Sequence, residues 1–101
     1  MTLRWVKPAR LEVDEAVEWY EFQSAGLGGK LLAEIDAAIA LIERFPKAWH
    51  KLSKRTRSHR LNRFPYSLIY TEVSEGDIAV IAFVHQHRRP GYWRDRLRSA
   101  G

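Results

Sequence analysis

The sequence predicts an α+β fold of order β-α-α-β-β-β, a twisted antiparallel sheet packed on an N-terminal helical hairpin. Two segments with helical spacing of apolar residues adjoin across a glycine run, and three strand-like segments follow Pro46. At 101 residues the chain has room for one domain and one small core, so the two layers must cover each other.

The first run, Leu3-Arg4-Trp5-Val6, alternates as an edge strand does, and Pro8 stops it. From about Leu11 to Ser24, Val13, Ala16, Val17 and Tyr20 form one stripe of a helix, with Asp14 and Glu15 placed in its first turn. Ala25-Gly26-Leu27-Gly28-Gly29 ends it in a tight helical hairpin, where glycine supplies the left-handed backbone. The second helix runs from about Gly29 to Phe45, with Leu31, Ile35, Ala38, Ile39 and Ile42 inward and Lys30–Glu34 as a surface pair. Pro46 bars its continuation. A basic, irregular stretch follows: Lys47, Lys51, Lys54, Arg55 and Arg57.

Three strands are then expected. They are His59 to Phe64, Ser67 to Val73 after the turn Phe64-Pro65-Tyr66, and Ile78 to Val84 after the hairpin loop Ser74-Glu75-Gly76-Asp77. The last is almost wholly apolar and is read as a central strand buried on both faces. The tail from His85 to Leu97 is basic and aromatic, with a final helical turn possible. One sheet face would stay partly open, flanked by the basic loop and the basic tail, and function is expected there.

Charge is unevenly spread. Residues 1–46 carry five Lys/Arg against eight Asp/Glu, and residues 47–101 carry twelve against four. Such asymmetry fits a polyanion or an acidic protein partner, although net charge also serves solubility alone. The absence of cysteine removes disulfides, a thiolate zinc site and a thiol nucleophile. No apolar run approaches the length of a signal core or of a span, so no membrane role and a cytoplasmic location are expected.

Four stretches carry a resemblance: EAVEWYEFQSAGLGGKLLAEID (15–36), IERFPKAW (42–49), HRLNRFPYSLIY (59–70) and IAVIAFVHQHRRPGYWRDRL (78–97). No one of them is specific. In this order, across residues 13 to 97, the chain resembles the RelE/ParE toxin superfamily, in particular its ParE-like plasmid stabilisation branch. The resemblance implies the toxin of a type II toxin–antitoxin pair. Its partner would be a cognate antitoxin whose C-terminal segment wraps it in a heteromeric complex. Its target would be DNA gyrase, bound without chemistry, or alternatively the ribosome with messenger RNA, cut as RelE-like endoribonucleases do. No cofactor is implied. A plain nucleic-acid-binding module is a third reading, supported by charge alone.

RNA cleavage needs a general base, a general acid and cations converging on the scissile phosphate. Arg60, His85 and Arg88 are the candidates, with Arg63, His87, Tyr92 and the Lys51/Lys54/Arg55 loop nearby in sequence. Ribonuclease members usually carry an arginine where this chain has Ser67, and serine cannot grip a phosphate with a permanent bidentate charge. Target contact is assigned to Arg60, Arg63, His85, Arg88, Tyr92 and Trp93. Antitoxin contact is assigned to Trp19, Phe22, Leu68 and Tyr70. Each has a plainer alternative. Arg60 and Arg63 suit a solvated edge strand, and His85 suits a hydrogen bond at a strand end. Arg88 could pair with Glu15 or Glu18, and Tyr92 and Trp93 could pack the tail on the sheet. A metal site at His85 and His87 lacks an evident third ligand, so no metal is expected.

Overall fold

The computed structural model describes residues 2–100. Its elements are β1 (Leu3–Trp5), α1 (Lys7–Gln23), α2 (Leu27–Arg44), β2 (His50–Lys51), β3 (Thr56–Arg60), β4 (Tyr66–Ser74) and β5 (Asp77–His85). A 3-10 turn (Arg94–Arg96) and α3 (Leu97–Ala100) close the chain. The strands form one sheet in the order β1-β5-β4-β3-β2.

The helical hairpin and the last two of the three expected strands stand where the sequence puts them, with shifted ends, whereas the strand expected at His59 to Phe64 lies at Thr56–Arg60 and shares only His59 and Arg60 with that expectation. α1 begins four residues earlier than expected, because Pro8 sits at the start of the helix, where its missing N–H costs nothing. Val6 joins strand to helix: its N–H donates to Val80 O (3.0 Å) while its C=O receives the N–H groups of Ala9 and Arg10. Asp14 and Glu15 therefore lie beyond the first turn, which holds no acidic residue. The third strand ends at Arg60, since Leu61 to Pro65 form the turn. The short β2, paired with β3 through His50↔Ser58 and Lys51↔Arg57, has no periodicity to announce it.

At the hairpin Gly26 adopts φ 90°, and Gly28 lets the helices meet: a Cβ there would stand 2.8 Å from Val17 O. Glu21 accepts the N–H groups of Gly26 (2.9 Å) and Gly28 (3.1 Å), satisfying donors at the start of α2. Glu34 does not form the surface pair expected with Lys30. It turns to the β3–β4 turn, accepting Arg63 N–H (3.1 Å) and meeting Arg63 Nε at 3.5 Å.

β3, β4 and β5 are antiparallel, and Glu75-Gly76 links the last two, with Gly76 at φ 80°. β1 instead runs parallel to β5, so the sheet is mixed. Ile78 to Phe83 are buried without exception, as a central strand covered on both faces requires. Leu31, Ile35, Ala38 and Ile42 of α2 join Val13 and Ala16 of α1 in one core with the strands. Burying each Leu or Ile stabilises by about 2 kcal/mol.

Two irregularities of β5 position the tail. Ile69 pairs with Ala82 but Tyr70 with Val80, so Ile81 is bulged out of the ladder with β4. On its other edge β5 is covered by β1 only from Ile78 to Val80. Past that point its backbone groups need other partners, and side chains of α1 and the tail supply them. No helix among the described residues is long and apolar enough to cross a membrane.

Candidate functional site

The C-terminal end of β5 and the tail behind it form a ridge between two hollows, and His85 and Arg88 line both. The ridge is held by backbone bonds: Gln86 N–H donates to Pro65 O (2.9 Å) and Arg88 N–H to His85 O (2.9 Å). Gly91, at φ 76°, then turns the chain so that Trp93 enters the core, 6% exposed.

One carboxylate clamps this tail. Glu12 of α1 accepts Arg96 at 2.7 and 3.2 Å, the Tyr92 hydroxyl, and the N–H of Phe83 at 3.1 Å. Arg96 also donates to the carbonyl of the bulged Ile81 at 3.1 Å. The pair thus satisfies both an orphan donor and an orphan acceptor on the uncovered stretch of β5. Burial, and then the neighbouring Glu12, hold the Tyr92 hydroxyl well above the usual tyrosine range. An ion pair between tail and acidic helix therefore exists, but through Glu12 and Arg96 and not through Arg88 with Glu15 or Glu18. Arg88 instead lies over the Tyr92 ring, 4.1 Å from its centre.

The hollow on the helix side, about 260 Å³, is lined by Glu12, Glu15, Trp19, Tyr66, His85 and Tyr92 among others. Its wall is aromatic: Tyr66 stacks on Phe83 at 4.4 Å, and His85 meets Tyr66 edge-on at 5.1 Å. The Nδ1 of His85 receives the His87 N–H at 3.1 Å, so the neutral ring carries its proton on Nε2. His87 approaches His85 to 5.4 Å, and no group of three metal-ligating side chains exists among the described residues.

The hollow on the open sheet face is a groove of about 450 Å³. Ile69 and Val84 line it with Ser58 and Ser67, Trp93 and Leu97 line it from the tail, and Leu52 from the loop. His85, Arg88 and Arg94 also line it, and none of the lining residues is a carboxylate. Arg60 approaches it by donating to Gln86 Oε1 at 3.2 Å.

The structure thus brings Arg60, His85, Arg88 and Tyr92 to one end of the sheet. Arg63 is not with them; its guanidinium turns to Glu34 on α2. Trp93 packs the tail on the core and leaves only a small part of its surface in the groove. Leu68 (0% exposed) and Tyr70 (2%) are likewise interior, since alternate residues of β4 face the helices. The Tyr70 hydroxyl donates to Pro46 O at 2.6 Å, and burial pushes its pKa up to about 12. They are core residues and present almost no surface to a partner in this structure. Trp19 and Phe22 are both exposed but face different hollows: Trp19 lines the one beside Tyr92, and Phe22 an apolar one with Val17 and Leu32 on the outer hairpin. Sequence reasoning missed Glu12 and Arg96. Their only signal is a carboxylate beside the buried stripe of α1 and one arginine among several in the tail.

Residues 3–90 match a family model described as the ParE toxin of the type II toxin–antitoxin system parDE. A solved structure titled as the chromosomal ParDE TA system from P. aeruginosa has the same fold. It superposes with a TM-score of 0.62 at 15% identity, over 84% of this chain and 95% of that one. No curated protein sequence matches at a significant level.

Proposed function

Because the chain belongs to the ParE toxin family of type II toxin–antitoxin systems, we propose that it acts as a protein inhibitor of DNA gyrase, without chemistry of its own. A cognate antitoxin would neutralise it in a heteromeric complex. The observation that carries this reading is the groove on the open sheet face. Its lining offers hydroxyl and apolar groups with cations beside them, but no carboxylate to act as a base. The Nδ1 of His85 is engaged by the His87 N–H and not by a neighbouring acid or base. Ser67 lines the groove where ribonuclease relatives would carry an arginine. An apolar groove with a cationic side suits a protein surface better than a scissile phosphate.

Arg60, His85, Arg88 and Tyr92 are proposed as target contacts, and Phe22 with Trp19 as antitoxin contacts. Gyrase lies in the cytoplasm, which is the compartment proposed. A second reading, ribosome-dependent cleavage of messenger RNA, draws on His85 and Arg88 sharing one rim with Arg60 nearby. The deciding experiment is a gyrase supercoiling assay with the purified chain freed of antitoxin. Loss of supercoiling with accumulation of cleaved DNA is expected. Unaffected gyrase together with cut messenger RNA on ribosomes would replace the first reading with the second.

A further inference from the structure

The end of the sheet farthest from β1 holds a second, differently built site. Between β2 and β3 the chain makes a tight loop that carries Lys54 and Arg55, with Lys51 at its start. The loop is held by its own bonds. Leu52 N–H donates to Thr56 O (2.9 Å), Ser53 Oγ meets Thr56 Oγ1 (2.7 Å), and the Thr71 hydroxyl of β4 donates to Arg55 O (2.6 Å). Thr56 and Thr71 are themselves buried, while Leu52, Ser53 and Arg55 are exposed, so these bonds are partly sheltered from water. The three basic side chains thus project from a fixed backbone.

They border a small polar pocket of about 190 Å³, which Arg57 and Glu72 also line. Arg57 is fixed by donating to Trp49 O at 3.0 Å. Lys51, Lys54 and Arg55 are exposed and take part in neither ion pair found among the described residues, Arg63–Glu34 and Arg96–Glu12. Four cations therefore face one carboxylate, Glu72. That imbalance attracts an anion, and the volume admits something of phosphate size with a few waters, at about 30 Å³ for each water.

We propose that this pocket binds the backbone phosphates of nucleic acid through Lys51, Lys54 and Arg55. An acidic peptide is a poorer fit. Protein docking draws on a buried apolar centre, and the aromatic residue in this lining, Tyr70, has its ring in the core and its hydroxyl on Pro46. Phosphate binding needs only cations held in place. The three follow one another along residues 51–55 around the pocket, which suits a phosphate seated in it together with its neighbours along a strand. For a toxin acting on a DNA-bound enzyme, the site would touch the DNA beside the protein target, yet the site stands without that target.

The test uses the full chain without gyrase, followed by fluorescence anisotropy on a labelled duplex DNA and on a single-stranded RNA of equal length. Three phosphate contacts predict a salt slope of about −2.7 on the duplex, hence binding about 40-fold weaker at 200 mM salt than at 50 mM, and a slope of about −2.1 on the single strand. The triple variant Lys51→Glu/Lys54→Glu/Arg55→Glu should abolish binding while melting as the parent does, and Glu72→Gln should strengthen it. Tighter binding of the duplex would identify DNA as the source of the phosphates, and equal binding would identify the backbone of either polymer. Inorganic phosphate at millimolar concentration should compete. A triple variant that binds like the parent, or a parent without measurable binding at low salt, overturns the proposal. Since gyrase is absent, such a result leaves the inhibitor reading untouched.

Discussion

Replacing Glu12 by glutamine should loosen the tail without disturbing the rest of the fold. Glu12 and Arg96 have side chains 19% exposed each, so the pair is mostly sheltered. Breaking a buried pair by removing one partner costs about 3–5 kcal/mol, and an exposed one about 0–1 kcal/mol. Glutamine keeps the shape and one acceptor oxygen, but it removes the negative charge opposite Arg96, which is left with that oxygen and Ile81 O as partners, and weakens the bonds from Tyr92 and Phe83. A loss of about 2.5 kcal/mol follows, between the two limits and nearer the buried one. For a domain of this size that lowers Tm by about 10 °C, at about 4 °C per kcal/mol. Thermal melting followed by circular dichroism reads the loss. Hydrogen exchange should place it, with protection falling from Arg88 to Arg98 and in Ile81 to Phe83 more than in α2. A double-mutant cycle with Arg96→Gln should return a coupling of about 2 kcal/mol. If Glu12→Gln melts within a degree or two of the parent and tail exchange is unchanged, the clamp is not what holds the tail. Packing of Trp93 would then carry that role.

Three further outcomes are expected. Gly28→Ala should destabilise by about 2 kcal/mol in urea unfolding, because its methyl would meet the Val17 carbonyl at 2.8 Å and force the hairpin apart. His59 packs edge-on against Trp49 at 4.3 Å, and burial lowers its pKa below the ordinary 6.5. Its contribution is therefore present above pH 6.5 and lost as pH falls through the lower folded value, so His59→Phe should flatten the decline of stability below pH 6.5 seen by denaturant titration. Phe22 is 88% exposed, so Phe22→Glu should leave Tm within about 2 °C, a surface change of about 0.5 kcal/mol at most, while weakening antitoxin binding at least tenfold by calorimetry. Undiminished affinity would remove Phe22 from the antitoxin surface.

The amino-acid sequence by itself determined the helical hairpin, the last two main strands and the family, because each is written in local order. The stripe Val13, Ala16, Val17, Tyr20 needs no distant residue to be seen, and neither does the apolar run Ile78 to Val84 or the glycine at position 26. Only the tertiary structure decided which residues are site and which are core. Leu68, Tyr70 and Trp93 are as aromatic or apolar as Trp19 and Phe22, yet they lie inside, because strand parity and the tail's turn at Gly91 point them inward. The parallel seat of β1 on β5 and the bulge at Ile81 are both matters of pairing between strands, the first across more than 70 residues and the second in the register of β5 on β4. From these follows the clamp, in which Glu12 reaches Phe83, Tyr92 and Arg96 across 71, 80 and 84 residues. The tail offers Glu12 several arginines of equal charge. Arg96 is the one that satisfies it, because a bulged carbonyl and a bare strand edge leave unpaired groups at that place, and burial makes leaving them unpaired costly.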